Sequence, residues 1–245
     1  RIGFMGTTSI VLLVGIMIGN DLEFIVTGLF MSSIAMYTVR RIRTRSKFIT
    51  AIFSLMGASI IAVLSHGLFM GHNVSTMGVD LTYLLVNSIF APIITYGLII
   101  ILEVSFGITT DLSLIELLDF NHPLLKRLQQ EANGTFNHSV VVGNLAEACA
   151  DAINARSLLC RVGAYYHDLG KMERPEYYIE NQFMGDNKHD SLTPAMSAKI
   201  IRKHVVDGLK LAKDYGLPKL VSDFIPMHHG TSRVEYFYRM ALEAA

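Results

Sequence analysis

The sequence predicts an all-α protein in two parts: polytopic membrane helices followed by a cytosolic helical domain. Three observations predict it. The 245 residues are 51% hydrophobic and only 17% charged, where a soluble domain carries about 25% charge. The charge is also unevenly placed: the first 108 residues hold six basic and four acidic side chains, leaving 15 basic and 17 acidic ones beyond Ile108. From Asp111 onward the apolar spacing is helical, broken by turn signals such as Asn133-Gly134, Gly170 and Gly216-Leu217-Pro218, with no alternating strand pattern.

Four apolar stretches fill residues 1–108: Ile2 to Ile18, Phe24 to Val39, Phe48 to Met70, and Leu81 to Leu102 with an extension to Ile108. Each is near the ~20 residues that carry a helix across ~30 Å of hydrocarbon, where the backbone must satisfy its own hydrogen bonds. Four spans are therefore expected. The first is not a signal peptide, because no cleavage pattern follows it and further spans come directly after. Arg40, Arg41, Arg43, Arg45 and Lys47 cluster between spans two and three, whereas the segments Gly19 to Glu23 and Gly71 to Asp80 hold no Lys or Arg. Basic loops stay on the cytoplasmic side, which places everything after Ile108 inside the cell. Arg1 stands where an initiator Met would, so a longer protein is expected to precede it. His66 and Glu103 lie near span ends, where packing or snorkelling accounts for them. Pro92 is expected to kink the fourth span.

Residues 109–133 read as a connector helix, with Asp111 to Leu118 continuing from span four, and residues 134–245 as a second domain. The net charge of −2 beyond Ile108 argues against a surface that coats a nucleic-acid polymer. Cys149 and Cys160 match neither a disulfide framework nor a zinc ribbon and read as small core residues. His122 precedes Pro123 at a helix start, a capping position.

Seven of the nine histidines lie beyond Ile108, and helical phase makes them informative. His138 shares a stripe with Val142, Leu145, Cys149 and Ile153. His204 follows Ile200 and Ile201 and precedes Gly208 and Leu211, and His228 follows Val221, Phe224 and Ile225. The pair His167-Asp168 ends a fourth apolar helix. All are expected to face inward. A single inward histidine needs only a backbone carbonyl, but burying this whole set without partners would cost about 1 to 3 kcal/mol per unpaired group. Divalent metal ions answer that demand together. Imidazole with carboxylate suits Fe, Mn, Zn or Co, and the lack of cysteine disfavours a structural zinc.

The strings Gly134-Thr135-Phe136-Asn137-His138-Ser139, Tyr166-His167-Asp168-Leu169-Gly170-Lys171, Glu180-Asn181-Gln182, Asn187-Lys188-His189-Asp190 and His228-His229-Gly230-Thr231 resemble those of the HD-domain metal-dependent phosphohydrolases. With the spans before them, the whole chain resembles the bacterial seven-span membrane HD-domain phosphohydrolases. The resemblance implies that His138, His167 and Asp168 hold one metal and that His204, His228 and His229 hold the other, with Asp168 bridging. Two transition-metal ions, Fe or Mn, about 3.5 to 4 Å apart would activate water and stabilise the departing alkoxide of a phosphodiester. It also implies a catalytic role for Lys171, which with Arg174 could offer positive charge to phosphate, and a substrate contact for His189. The family's further late Asp ligand has no match before Ala245, which implies a C-terminally truncated domain.

The resemblance implies hydrolysis of a cyclic dinucleotide, cyclic di-AMP to its linear dinucleotide, at a bacterial inner membrane, with the lipid bilayer as second partner and homo-oligomerisation open. The rival is a membrane receptor or scaffold that binds nucleotide or metal without turnover.

Overall fold

Long apolar runs without turn residues leave helix as the structure that satisfies its own backbone, and helices are what the described residues of the first 108 mainly form. The computed structural model describes residues 2–19, 21–39, 46–182 and 187–243, and among these no strand occurs. Two compact units result, Arg1–Ile108 and Thr109–Ala245.

The first unit contains α1 (Ile2–Met17), α2 (Leu22–Val39), α3 (Ser46–Met70) and α4 (Val74–Phe106). The last three have the length and hydropathy to cross a membrane, while α1 is a shorter apolar helix of 16 residues. Arg40, Arg41, Arg43 and Arg45, which set the expected orientation, lie outside the described residues; Lys47 is in the first turn of α3. Small side chains mark the packed stripe of α3, where Ala51, Leu55, Ala58, Ser59, Val63 and Gly67 are buried. In hydrocarbon, close backbone approach and interhelical hydrogen bonds hold helices together. The Ser59 and Ser88 hydroxyls supply one such bond at 2.9 Å between α3 and α4. His66 stands 3.0 Å from Glu23 across α3 and α2. Pro92 sits inside α4, which is helical on both sides of it.

The expected continuation of span four into a connecting helix does not occur. α4 ends at Gly107, which adopts the left-handed φ of 61°. A new helix, α5 (Asp111–Glu116), starts behind a capping box in which Thr110 and Ser113 satisfy each other's backbone N–H. Residues 109–133 thus hold two helices, α5 and α6 (Pro123–Glu131). His122 occupies the N-cap of α6 but makes no side-chain cap bond; its ring lies edge-on to Tyr166 instead.

The rest of the second unit is α7 (Asn133–Ala152), α8 (Ser157–Tyr166), short 3-10 turns between Leu169 and Ser191, α9 (Pro194–Asp214), α10 (Lys219–Ser222), α11 (Phe224–Met227) and α12 (Glu235–Glu243). Leu114, Leu124, Leu125, Leu128, Val162, Tyr166, Leu169, Val221 and Ile225 form its core. The buried Tyr166 hydroxyl donates to the Leu117 carbonyl at 2.7 Å, tying α8 to the end of α5.

The face assigned to α7 is wrong. Its buried residues are Thr135, Phe136, Ser139, Gly143 and Ala150, whereas His138 and Cys149 are exposed, and Leu145 and Ile153 are 62% and 76% exposed. Cys160 is half-buried, so neither cysteine is a core residue. The physical reason is Gly143. A Cβ there would sit 2.6 Å from the Tyr165 ring, so α7 meets α8 there without a side chain and turns Val141 and Leu145 outward.

Candidate metal centre

Four backbone segments deliver the candidate ligands. His138 lies in the second turn of α7, His167 and Asp168 directly follow α8, His204 is on the buried face of α9, and His228 and His229 directly follow α11. Within the second unit these segments converge. Asp168, His204, His228 and His229 each offer a ligand atom within 4.8 Å of the others, and His138, His167 and Asp168 form a second such group. Asp168 belongs to both.

The convergence rests on a close backbone seam. A Cβ at Gly170 would run into the His204 carbonyl, so the turn carrying Asp168 can lie against α9 only with glycine at that position. The site opens unevenly. Asp168 and His204 are buried, His228 is half-buried, and His138 and His229 stand on an exposed rim.

Hydrogen bonds set which imidazole nitrogen faces the centre. The Nδ1 atoms of His167, His204 and His228 pair with the carbonyls of Ala164, Ile201 and Ile225, each three residues back. A carbonyl only accepts, so each Nδ1 carries the proton, and Nε2 is the lone-pair side of the neutral ring. The His204 and His228 Nε2 atoms are 3.4 Å apart, and each is 3.5 Å from Asp168 Oδ1. His229 Nε2 adds a contact of 3.2 Å to His204 Nε2. Asp168 Oδ1 is fully buried and has no hydrogen-bond partner. In the neutral state His204 Nε2, His228 Nε2 and Asp168 Oδ1 are thus three acceptors facing one another, an arrangement that a divalent cation relieves. The residues fit a transition-metal ion bound through imidazole nitrogen and carboxylate oxygen.

Electrostatics follow the same geometry. Burial alone would raise the Asp168 pKa, but the His167 and His228 rings, once protonated at Nε2, and the Lys171 ammonium hold its carboxyl below the usual range. Burial opposes a charge on His167, yet the adjacent Asp168 outweighs it and raises the pKa of the ring. Burial lowers His204. Burial first, with the neighbouring His228 and His204 rings, lowers His229 to about 4.

Lys171 lies beside the centre, its ammonium 2.9 Å from Asp168 Oδ2 and 2.7 Å from Glu180 Oε1. Arg174 is exposed. His189 is in neither group. It is buried, its Nε2 meets the Tyr177 carbonyl at 2.9 Å, and its ring packs on Phe237 with centroids 5.0 Å apart. Glu180 and Thr135 carry no sign of a role in the sequence. In the structure they join Lys171 in one polar network. The available signal was a lysine near a ligand Asp, which needs a second carboxylate once buried.

Comparison with known proteins gives a consistent picture. Residues 1–110 match the family described as 7TM receptor with intracellular HD hydrolase, and residues 135–244 match the HD domain family. The chain is 41% identical to the cyclic-di-AMP phosphodiesterase PgpH of Bacillus subtilis over 203 residues, 81% of this chain and 28% of that protein. It is likewise 41% identical to the cyclic-di-AMP phosphodiesterase PgpH of Listeria monocytogenes over 207 residues, 84% of this chain and 28% of that protein. The chain therefore spans just over a quarter of the length of these curated relatives. Among solved structures, the L. monocytogenes PgpH HD domain in complex with cyclic-di-AMP is 51% identical, with a TM-score of 0.50, over 51% of this chain and 59% of that one.

Proposed function

We propose that this chain, whose residues 1–110 belong to the family of 7TM receptors with intracellular HD hydrolase and whose residues 135–244 belong to the HD domain family, is a membrane-bound metal-dependent phosphodiesterase that hydrolyses cyclic di-AMP to the linear dinucleotide. The observation that carries this reading is Asp168, whose two oxygens face two different histidine groups. One carboxylate shared between two donor sets is the arrangement that holds a cation pair. Fe or Mn suits these donors best.

Two bound cations would supply Lewis-acid stabilisation of the phosphodiester and its leaving oxygen and would activate water for attack. The remaining work belongs to the protein's own residues. His167, His204 and His228 present lone pairs fixed by their Nδ1 bonds, so little reorganisation is needed at the moment of reaction. Lys171 places a positive charge at the edge of the centre. Exposure of His138 and His229 leaves that rim of the centre open to substrate. The relatives named for cyclic di-AMP and the neighbour that holds it support this substrate over cyclic di-GMP.

The test is turnover by the purified chain with Mn²⁺ or Fe²⁺, following the appearance of linear dinucleotide. Product from cyclic di-AMP, with cyclic di-GMP cleaved at least about tenfold more slowly, is the expected result; a tenfold rate difference corresponds to about 1.4 kcal/mol of discrimination. Tight nucleotide binding with no product would replace this reading with the receptor one.

The proposed location is a bacterial inner membrane, with α1 to α4 as four spans and the second unit in the cytosol. A reporter fused after Ile108 should be active only in the form that reports the cytosolic side. Replacing Arg40, Arg41, Arg43, Arg45 and Lys47 by Gln should randomise that orientation, because they are the basic residues that set it. A periplasmic signal from the unsubstituted fusion would overturn the topology.

A further inference from the structure

We propose that Glu180 is a positioning residue that receives Lys171 when a cation enters the group His138, His167 and Asp168, so that Lys171 serves as a displaceable occupant of Asp168. The inference rests on the two-cation reading above and deepens it.

The two oxygens of Asp168 are not equivalent. Oδ1 faces His204 and His228. Oδ2 lies 3.2 Å from His167 Nε2 and 2.9 Å from Lys171 Nζ. The oxygen that His167 would share with a cation is therefore the one the ammonium already covers. A divalent cation and an ammonium repel each other at such range, so loading this group requires the ammonium to withdraw.

Its route is restricted. The Lys171 side chain is only 15% exposed, and the Tyr178 ring covers it with the ring centroid 5.1 Å from Nζ. The second acceptor within reach is Glu180 Oε1 at 2.7 Å. That carboxylate is held from behind: the buried Thr135 hydroxyl donates to Glu180 Oε1 at 3.1 Å. Asn181 clasps the same threonine, accepting from its backbone N–H at 2.9 Å and donating to its hydroxyl at 2.8 Å. A Cβ at Gly134 would collide with the Glu180 carbonyl, so the turn bearing Glu180 is seated directly on the start of α7. The helix that carries His138 thus also fixes the receiver for Lys171.

Mn²⁺ titration of the full chain without substrate, followed by the loss of the free-ion electron paramagnetic resonance signal, tests this. Glu180→Gln keeps the shape and the Thr135 bond but removes the charge that attracts Lys171. It should weaken one of two Mn²⁺ sites about tenfold or more, the scale set by groups that support metal ligands, and leave the other unchanged. Lys171→Met alone should tighten that same site, and Glu180→Gln with Lys171→Met should restore at least the parent affinity. If Glu180 only stiffens the turn, the double variant stays as weak as Glu180→Gln, and the proposal fails. It fails equally if Glu180→Gln binds as the parent does, or if Lys171→Met weakens the site. Should the parent itself bind fewer than two Mn²⁺, the two-cation reading falls; a two-site parent with an unresponsive Glu180→Gln sinks only the present inference. Lys171→Met leaves Glu180 intact, so its result stands even where Glu180→Gln does not fold.

Discussion

Asp168→Ala is expected to reduce phosphodiester turnover by about a thousandfold or more and to lower bound metal from two ions to at most one. The magnitude follows from losing several kcal/mol of charge stabilisation that the cation pair supplies, at tenfold per about 1.4 kcal/mol. Among the described residues, Asp168 is the carboxylate common to both donor groups. Its removal also strands Lys171 and the His167 ring beside a buried cavity. Deleting one member of a buried ion pair costs about 3 to 5 kcal/mol, part of which Glu180 recovers by keeping Lys171. Metal analysis, a hydrolysis assay and a melting curve on one preparation separate these effects. Full metal content with near-parent turnover would remove Asp168 from the centre.

Gly170→Ala is expected to be the most damaging substitution outside the ligands themselves. The added methyl meets the His204 carbonyl and the Gly208 N–H, which are backbone and cannot rotate away. Overpacking of this kind costs about 1 to 3 kcal/mol, and relief comes only by moving the Asp168 turn off α9. That movement opens the 3.5 Å approach of Asp168 to His204, so the expected result is a lower melting temperature and loss of one metal site with every ligand still present. A variant with parent melting temperature and two bound ions would show that the seam is looser than its geometry.

Much of this was legible in the sequence because it depends on local chemistry. Apolar run length fixes the helices of the first unit, and the spacing of Ile200, His204, Gly208 and Leu211 correctly puts His204 on the buried face of α9. The phase of α7 is not legible in the sequence, because Leu145 and Ile153, large apolar side chains, do not mark its interior. Gly143 and Ala150 mark it instead, since the partner helix is near enough to leave no room for more. Gly170 reads as punctuation in the sequence, yet its φ lies outside the left-handed range that requires glycine; the requirement comes from His204, 34 positions away. The network of Lys171, Glu180 and Thr135 was hidden for the same reason, as it joins residues up to 45 positions apart.

The break at Gly107 has a mechanical consequence. An α-helix passes torque along its axis because each turn is bonded to the next, but here a left-handed Gly107 and an extended Thr110 separate α4 from α5. Within the second unit the end of α5 is fastened to Tyr166, the residue immediately before His167, so the position of α5 bears on the backbone that carries two candidate ligands.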